Sequence, residues 1–485
     1  MRPTDWRFWS ALFAATIFLG YSAAFLDYSA AADQCDSAQD PEAAIADCTR
    51  GIKSGKSKGR DLAAYYNNRA FAYRARGDND RAIADLNEAI RLDPKLAMAF
   101  NNRGAAYNEQ GDNDRAIADL NEAIRLDPKF TMAFNNRGNA YNAKGDNDRA
   151  IADFNETIRL DPKLARAFQN RGSTYHDKGD NDRAIVDYNE AIRLEPKHAK
   201  AYLGRGIAFV AKGDNDRAIS DFNEAIRLDH KSDMAFDKRG NVYLEQGDLD
   251  RAIADFSEAI RIDPEDATVF NSRGSAYRAR GDHDRAVADY DAAIRLDPKS
   301  VKAFVGRGVT YHAKGDFDRA ITDYNEATRL NPKSPLAYFA RGRSYLFAGS
   351  FEKALADLDQ ASAHAPDNAY LALWVEIASQ RNNLPSRLAQ TSSRIDMNVW
   401  PAPVIRLFMG QLTTADVLAA ADDPHAARKN GQVCEANFYS GELSLTKGLK
   451  DEATRLFRLA ASDCPHSFNE WEAANAELKT LGVVP

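Results

Sequence analysis

Cysteine is scarce in this chain, at 4 of 485 residues. So few cysteines exclude a fold built on a dense framework of disulfides. Basic residues are not in excess either, because 64 lysines and arginines stand against 71 acidic residues and give a net charge of −7. Nucleic acid is therefore not expected as a partner, since nucleic-acid-binding surfaces are normally basic. A charged fraction of 28% also excludes a polytopic membrane protein.

The start of the chain, residues 1–32, predicts an export signal. Arg2 and Arg7 precede an apolar run, and the three alanines at 30–32 offer a cleavage site, which is the pattern of a secretory signal peptide. The 19 uncharged residues between Arg7 and Asp27 are also long enough to cross a bilayer of ~30 Å. We therefore predict a periplasmic protein. The alternatives are a signal anchor that holds the chain in the inner membrane, facing the periplasm, and a chance cytosolic segment.

One sequence unit occurs nine times in succession and fills residues 63–368. Glycine and proline recur every 34 residues, with His230 replacing one proline, and arginine recurs at the same interval without exception. The arginines are Arg69, Arg103, Arg137, Arg171, Arg205, Arg239, Arg273, Arg307 and Arg341. Such a period indicates a repeat architecture rather than a series of independent domains.

The third unit, residues 131–164, has the pattern of two helices. Phe134 and Tyr141 are spaced to share one helix face, and Gly145 with Asp146 is typical of a helix end followed by a helix N-cap. Pro162 then prevents the second helix from continuing. Because a single pair of helices cannot bury both of its apolar faces, the pairs must stack on one another. The sequence therefore predicts an all-α fold.

The unit resembles the tetratricopeptide repeat (TPR), which has small residues, tyrosine, alanine, an aromatic residue and proline at these offsets. The resemblance covers residues 63–368. It implies a right-handed superhelical solenoid of helix-turn-helix repeats, in which the first helices line a concave groove. It also implies a protein-binding scaffold whose partners are other proteins or peptides.

One departure from the usual repeat predicts an ion pair. The position before the first glycine is apolar in most TPRs but is arginine here in all nine units. An aspartate follows at a constant offset in every unit, at Asp85, Asp119, Asp153, Asp187, Asp221, Asp255, Asp289, Asp323 and Asp357. We expect a desolvated arginine–aspartate pair inside each repeat. The alternative is that both side chains extend into solvent.

Seven asparagines that precede the arginines of the first helices are candidate peptide-binding residues. They are Asn67, Asn68, Asn101, Asn102, Asn135, Asn136 and Asn170. A row of amides can bind the backbone of an extended peptide, and this row is similar to the asparagine ladder of some peptide-binding TPR superhelices. Ordinary solvated helix surface is the alternative. After repeat four the row changes to Gly204, Lys238, Ser272, Gly306 and Ala340.

Two cations are candidates for binding carboxylates in the same groove. Arg166 and Lys200 lie near the starts of two consecutive first helices. Exposed basic side chains without a ligand are the alternative, because such residues are usually solvated.

The cysteines lie in two local pairs outside the nine repeats. In residues 33–62, predicted to be a capping stub and linker, alignment on the repeat places Cys35 and Cys48 at facing core positions. In residues 369–485, predicted to be helical, a degenerate repeat begins at Cys434 and places Cys464 at the end of its second helix. Each pair is predicted to form a disulfide, with buried free thiols as the alternative.

The stretch 399–482 is similar to the C-terminal part of the bacterial lipoprotein NlpI family. The shared segments are Cys434-Glu435-Ala436-Asn437-Phe438-Tyr439 and residues 452–460. The similarity implies a periplasmic adaptor that brings cell-wall hydrolases to a processing protease.

No catalytic or metal-binding arrangement is evident in the sequence. His176 and His312 share one repeat position but are four units apart, too far to bind one ion, and are expected to be solvated. No polar constellation is recognised in residues 369–485, and no nucleophile has a base partner. The sequence therefore predicts a non-enzymatic adaptor without cofactor or metal. The alternative is an anchored scaffold for a secretion, cell-wall or polysaccharide complex.

Overall fold

A computed structural model describes Cys35 and residues 40–465 and 468–483. The predicted export signal at residues 1–32 lies outside the described residues. Within the described ranges the chain forms 26 α-helices, one short 3-10 helix and no strand. None of these helices has both the length and the apolar character needed to cross a bilayer. The chain divides into two compact units, residues 1–235 and 236–485.

The first unit contains the stub and repeats one to five. Its helices are α1 (Pro41–Lys53), α2 (Gly59–Ala75), α3 (Asn79–Leu92), α4 (Ala97–Glu109), α5 (Asn113–Leu126), α6 (Thr131–Ala143), α7 (Asn147–Leu160), α8 (Ala165–Asp177), α9 (Asn181–Leu194), α10 (Ala199–Ala211) and α11 (Asn215–Leu228). From α2 to α11, each first helix packs against the second helix of its own repeat, and each second helix up to α9 packs against the next first helix.

The second unit begins within α12 (Asp233–Glu245), the first helix of repeat six. Its remaining repeat helices are α13 (Leu249–Ile262), α14 (Ala267–Ala279), α15 (His283–Leu296), α16 (Val301–Ala313), α17 (Phe317–Leu330), α18 (Pro335–Phe347) and α19 (Phe351–His364). The C-terminal helices follow: α20 (Ala369–Arg381), α21 (Leu388–Thr391), the 3-10 helix Ser392–Arg394, α22 (Ala402–Phe408), α23 (Thr414–Ala420), α24 (Ala426–Thr446), α25 (Lys450–Asp463) and α26 (Asn469–Thr480).

Repeat three shows why these residues form a helical hairpin. Gly145 has φ +76°, a conformation that glycine adopts without strain, and it turns the chain between the two helices. The side chain of Asp146 then caps the second helix by accepting a hydrogen bond from the Arg149 N–H. A Cβ at Gly138 would lie 2.7 Å from the fully buried Phe154 ring, so glycine allows the two helices to pack closely. The predicted all-α repeat fold is confirmed.

The predicted arginine–aspartate pair is present in all nine repeats. In repeat three, Arg137 Nε lies 2.8 Å from Asp153 Oδ2 and its Nη2 lies 2.7 Å from Oδ1. The other eight pairs are bidentate in the same way. Asp153 is 6% exposed, and the hydrogen bonds that Arg137 donates to its carboxylate raise the pKa of Arg137. This geometry excludes the alternative, in which both side chains extend into solvent.

The same arginine also contacts the preceding repeat, which the sequence did not predict. Arg137 Nη1 donates to Asn121 Oδ1 at 2.7 Å, and Asn121 belongs to the second helix of repeat two. Equivalent bonds join Arg103 to Asn87, Arg171 to Asn155, Arg205 to Asn189, Arg273 to Ser257 and Arg341 to Asn325. Each of these arginines therefore holds its own two helices together and fastens them to the neighbouring repeat.

We predict that Arg137→Ala destabilises repeat three by about 3 kcal/mol, because it leaves the buried Asp153 carboxylate without its partner. Hydrogen-exchange mass spectrometry of residues 131–164 would measure the free energy of local opening. Arg149→Ala is the matched control, since it removes an ion pair with Asp146 and a contact with the Tyr141 ring from an arginine side chain that is 61% exposed. That control is expected to cost less than about 1 kcal/mol. Equal exchange in Arg137→Ala and the unmodified protein would contradict the prediction.

Both predicted disulfides are present. Cys35 is joined to Cys48, and Cys434 to Cys464, with Cα–Cα distances of 5.1 and 4.8 Å. All four residues are buried. One detail differs from the sequence interpretation, because α24 begins at Ala426, well before Cys434. The bridge therefore joins the interior of α24 to the end of α25.

Candidate protein-binding face of the first helices

The seven predicted asparagines lie in a row along the first helices of repeats one to four, as two hydrogen-bonded segments: one joins the asparagines of repeats one and two to Asn136, and the other joins Asn135 to Asn170. Between repeats, the Nδ2 atoms of Asn102, Asn136 and Asn170 donate to the Oδ1 atoms of Asn67, Asn101 and Asn135 at 3.0, 2.9 and 3.1 Å. Within repeats, Asn67 donates to Asn68 and Asn101 donates to Asn102, at 3.1 and 3.2 Å. We call this set the asparagine row. Its amides stabilise the stacking of consecutive first helices.

The members of the row differ in exposure. Asn67, Asn101, Asn102 and Asn135 are buried, between 1% and 6% exposed, so their amides mainly serve the contacts between helices. Asn68, Asn136 and Asn170 are partly exposed. These three amides are the part of the row that a ligand can reach. A role in peptide binding stays a prediction.

The two predicted cations lie beside one end of the asparagine row. Arg166 precedes Asn170 by one turn of α8, and Lys200 occupies the equivalent position one repeat later, in α10. Both side chains are half-buried, and burial lowers the pKa of each. The charge of Arg166 lowers the pKa of Lys200 further, whereas Glu195 raises the pKa of Arg166 and Asp229 raises that of Lys200. Adjacent cations next to an amide suit the recognition of carboxylates.

The structure explains why the asparagine row stops after repeat four. A Cβ at Gly204 would lie 2.5 Å from the ring of Tyr188, which projects from the second helix of the preceding repeat. Tyr290 occupies the corresponding space beside Gly306 at the same distance. In repeats one to three this core position holds leucine or phenylalanine, as at Leu86, and the next first helix carries asparagine at the matching position. The end of the asparagine row could have been predicted from the sequence, because a tyrosine at this core position, as at Tyr188 and Tyr290, is followed by glycine at the matching position of the next repeat.

We predict that Gly204→Asn destabilises repeat five by about 1–3 kcal/mol, because the new side chain collides with the Tyr188 ring. Adding Tyr188→Leu would recreate the Leu86–Asn102 combination of repeats one and two, and is expected to recover at least about 1 kcal/mol of that loss. Urea denaturation of the two single variants and the double variant forms a double-mutant cycle. Purely additive effects would contradict the steric explanation.

The expectation that His312 is solvated is wrong. It is 7% exposed rather than solvated, and its Nδ1 lies 2.7 Å from Ser344 Oγ. Its ring packs edge-on against Phe317 and Phe347, and burial lowers the pKa of His312 to about 3. His176 is half-buried, with Nδ1 2.7 Å from Asn181 Oδ1. In the described part of the chain no group of three or more histidine, cysteine or acidic side chains could hold a metal ion.

The C-terminal helices contain buried acidic residues, so the expectation that residues 369–485 lack a polar constellation is wrong. Glu376, Glu435, Glu442, Glu470 and Glu477 are between 1% and 6% exposed. They belong to α20, α24 and α26, which lie far apart in the sequence but pack around one core. Sequence reasoning missed them because glutamate is normally exposed and nothing local marks these five as buried.

Family models match most of the repeat region. A model described as "TPR repeat" matches residues 70–111, 105–145, 138–179, 172–213 and 206–247. Two models described as "Tetratricopeptide repeat" match residues 238–301 and 271–335, and residues 311–374. Together these matches span residues 70–374.

Several solved structures are similar to parts of the chain. YrrB, described as a TPR protein with an unusual peptide-binding site, is 24% identical with a TM-score of 0.35, and the match covers 39% of this chain and 97% of YrrB. A tetratricopeptide repeat protein from Parabacteroides merdae is 21% identical with a TM-score of 0.40, over 51% of this chain and 98% of that one. The Cut9–Hcn1 complex matches at 15% identity and a TM-score of 0.42, covering 75% of this chain and 82% of the matched one.

Proposed function

This chain is a tetratricopeptide repeat protein, and we propose that it acts as a non-enzymatic adaptor in the cell envelope of a bacterium. It binds a protein or an extended peptide along the first helices of repeats one to four. The asparagine row carries the proposal. Asn68, Asn136 and Asn170 offer neutral amides at intervals of one or two repeats, which suits the evenly spaced polar groups of a peptide backbone.

The ligand extends toward repeats four and five in this proposal. Arg166 and Lys200 lie beside the last asparagine of the row. These two cations bind a carboxylate of the ligand, which belongs to an acidic side chain or to its C-terminus. Burial of the two cations reduces their hydration, which strengthens an interaction with an anion.

An envelope location is supported by the two buried disulfides, because disulfides persist in oxidising compartments such as the periplasm and are rare in the cytosol. The export-signal pattern of residues 1–32 agrees with it. The similarity of residues 399–482 to the NlpI family is part of the same proposal. It favours an adaptor for cell-wall enzymes.

Affinity capture with residues 33–485, followed by mass spectrometry, would identify the partner. Once it is known, the triple variant Asn68→Ala/Asn136→Ala/Asn170→Ala is expected to weaken binding at least about tenfold, because each lost amide removes a hydrogen bond to the ligand. The matched control replaces Asn79, Asn113 and Asn147, which lie at the starts of second helices, with alanine and should leave affinity unchanged. Equal affinity of both triple variants, with circular dichroism showing intact folds, would refute binding by the row.

A membrane-anchored scaffold for a secretion, cell-wall or polysaccharide complex is the second candidate. The observation that favours it is the run of 19 uncharged residues between Arg7 and Asp27. Cell fractionation separates the two candidates. The adaptor is expected in the soluble periplasmic fraction, whereas retention in the membrane fraction after a high-salt wash would support the scaffold and contradict a cleaved signal.

A further inference from the structure

The C-terminal helices meet at a cluster of buried acidic and aromatic side chains. We call Glu435, Glu470, Tyr370, Tyr439 and Trp400 the acidic cluster. Trp400 Nε1 donates to Glu435 Oε2 at 2.6 Å, and the Tyr370 hydroxyl donates to the same oxygen at 3.0 Å. The Tyr439 hydroxyl donates to Glu470 Oε1 at 3.0 Å. The cluster thereby joins α20, α24, α26 and the segment before α22.

Charge compensation in the acidic cluster is incomplete. Glu435 and Glu470 are 6% and 5% exposed, and the donors that reach their carboxyl groups are neutral. Arg343 in α18 acts electrostatically on Glu470, but its guanidinium hydrogen-bonds Asn469 and Glu472. Burial and the neighbouring Glu470 raise the pKa of Glu435 to about 7, and burial raises the pKa of Glu470. Two ionised carboxylates here would repel each other in a weakly polar environment.

A second group of buried acids provides a contrast within the same helices. Arg381 Nη2 lies 2.9 Å from both Glu442 and Glu477, so a cation is built into that group. Burial and the neighbouring Glu477 nevertheless raise the pKa of Glu442 to about 7. Glu376 accepts a hydrogen bond from Gln380 at 2.8 Å. Arg381 faces these partners and not Glu435 or Glu470.

The helices joined by the acidic cluster cover the first helix of repeat nine. Trp374 of α20 is 1% exposed and packs at centroid distances of 6.0 Å from Phe339 in α18 and 5.7 Å from Phe438 in α24. The Arg343 guanidinium lies 5.2 Å from the centroid of the same indole ring. Arg343 is itself bonded to Asn469 at the start of α26. Phe339 and Arg343 belong to a first helix, so the part of the protein-binding face in repeat nine is covered.

We propose that the acidic cluster is a proton-operated latch. While Glu435 is protonated, α20 and α26 stay closed over the first helix of repeat nine, and loss of that proton loosens them and exposes Phe339 and Arg343. The inference does not depend on peptide binding by repeats one to four. It adds a second, conditional part of the binding face, governed by pH.

The direction of the pH dependence follows from the raised pKa of Glu435. The folded protein holds the Glu435 proton more tightly than the unfolded chain does, because the folded pKa lies above the ordinary value of 4.5. The stabilisation from this proton is complete below about pH 4.5 and is lost as the pH rises through about 7. The latch is therefore closed in mildly acidic solution and loosened in mildly alkaline solution.

Hydrogen-exchange mass spectrometry on the full chain would test the latch. After correction for intrinsic exchange, protection of residues 369–381 and 469–480 is expected to fall about tenfold between pH 6 and pH 8. Glu435→Gln keeps the hydrogen-bonding shape without the charge and is expected to lose clearly less protection than the unmodified protein over this range, although Glu442 still titrates in it. Glu452→Gln is the matched control, because Glu452 is exposed on α25 and pairs with Arg455; it should behave as the unmodified protein does.

Two results would overturn the latch. One is equal protection of these segments at pH 6 and pH 8 in the unmodified protein. The other is an unchanged pH dependence in Glu435→Gln. If that variant does not fold, Glu470→Gln provides the same test, since removing the neighbouring charge should lower the pKa of Glu435 and shift the midpoint of the loosening to lower pH. An unchanged midpoint would then contradict the proposal.

Discussion

The repeat array depends on one interaction, the bidentate ion pair between the arginine of each first helix and the aspartate of the second. Such a pair is costly to desolvate and contributes less net stability than apolar packing of the same volume. Its geometry is directional, however, and the third guanidinium nitrogen is bonded to the preceding repeat. Helix pairs and their stacking are therefore set by the same side chain, which favours a regular array.

That regularity places the asparagine row. Because consecutive first helices lie side by side, amides at one repeat position reach the amides of the next and form hydrogen bonds from each repeat to its neighbour. The row ends where a tyrosine from the preceding second helix occupies the space of the asparagine, as at Tyr188 and Gly204. Core packing thus decides where the amides of the first-helix face end. The polar surface is a consequence of side chains buried beneath it.

Buried acidic residues have different partners in the repeats and in the C-terminal helices. Each repeat aspartate is paired with an arginine in a fixed bidentate geometry, so a positive charge lies against it. Glu435 and Glu470 have tyrosine and tryptophan as donors instead. A neutral donor can bond a carboxylate but cannot offset its charge, and burial then favours the protonated form. The pH dependence that we propose therefore belongs to the C-terminal helices.

The sequence by itself determined the helical hairpin, its number of copies, the arginine–aspartate pairs and the pairing of the cysteines. Each depends on residues close in the chain or repeated at a constant period, so local spacing carries the information. Only the tertiary structure decided which asparagines are buried, that His312 is enclosed by Phe317 and Phe347, and that Glu435 and Glu470 share one site. These features arise where separate helices meet, and the burial of a polar side chain depends on that packing rather than on its neighbours in the chain.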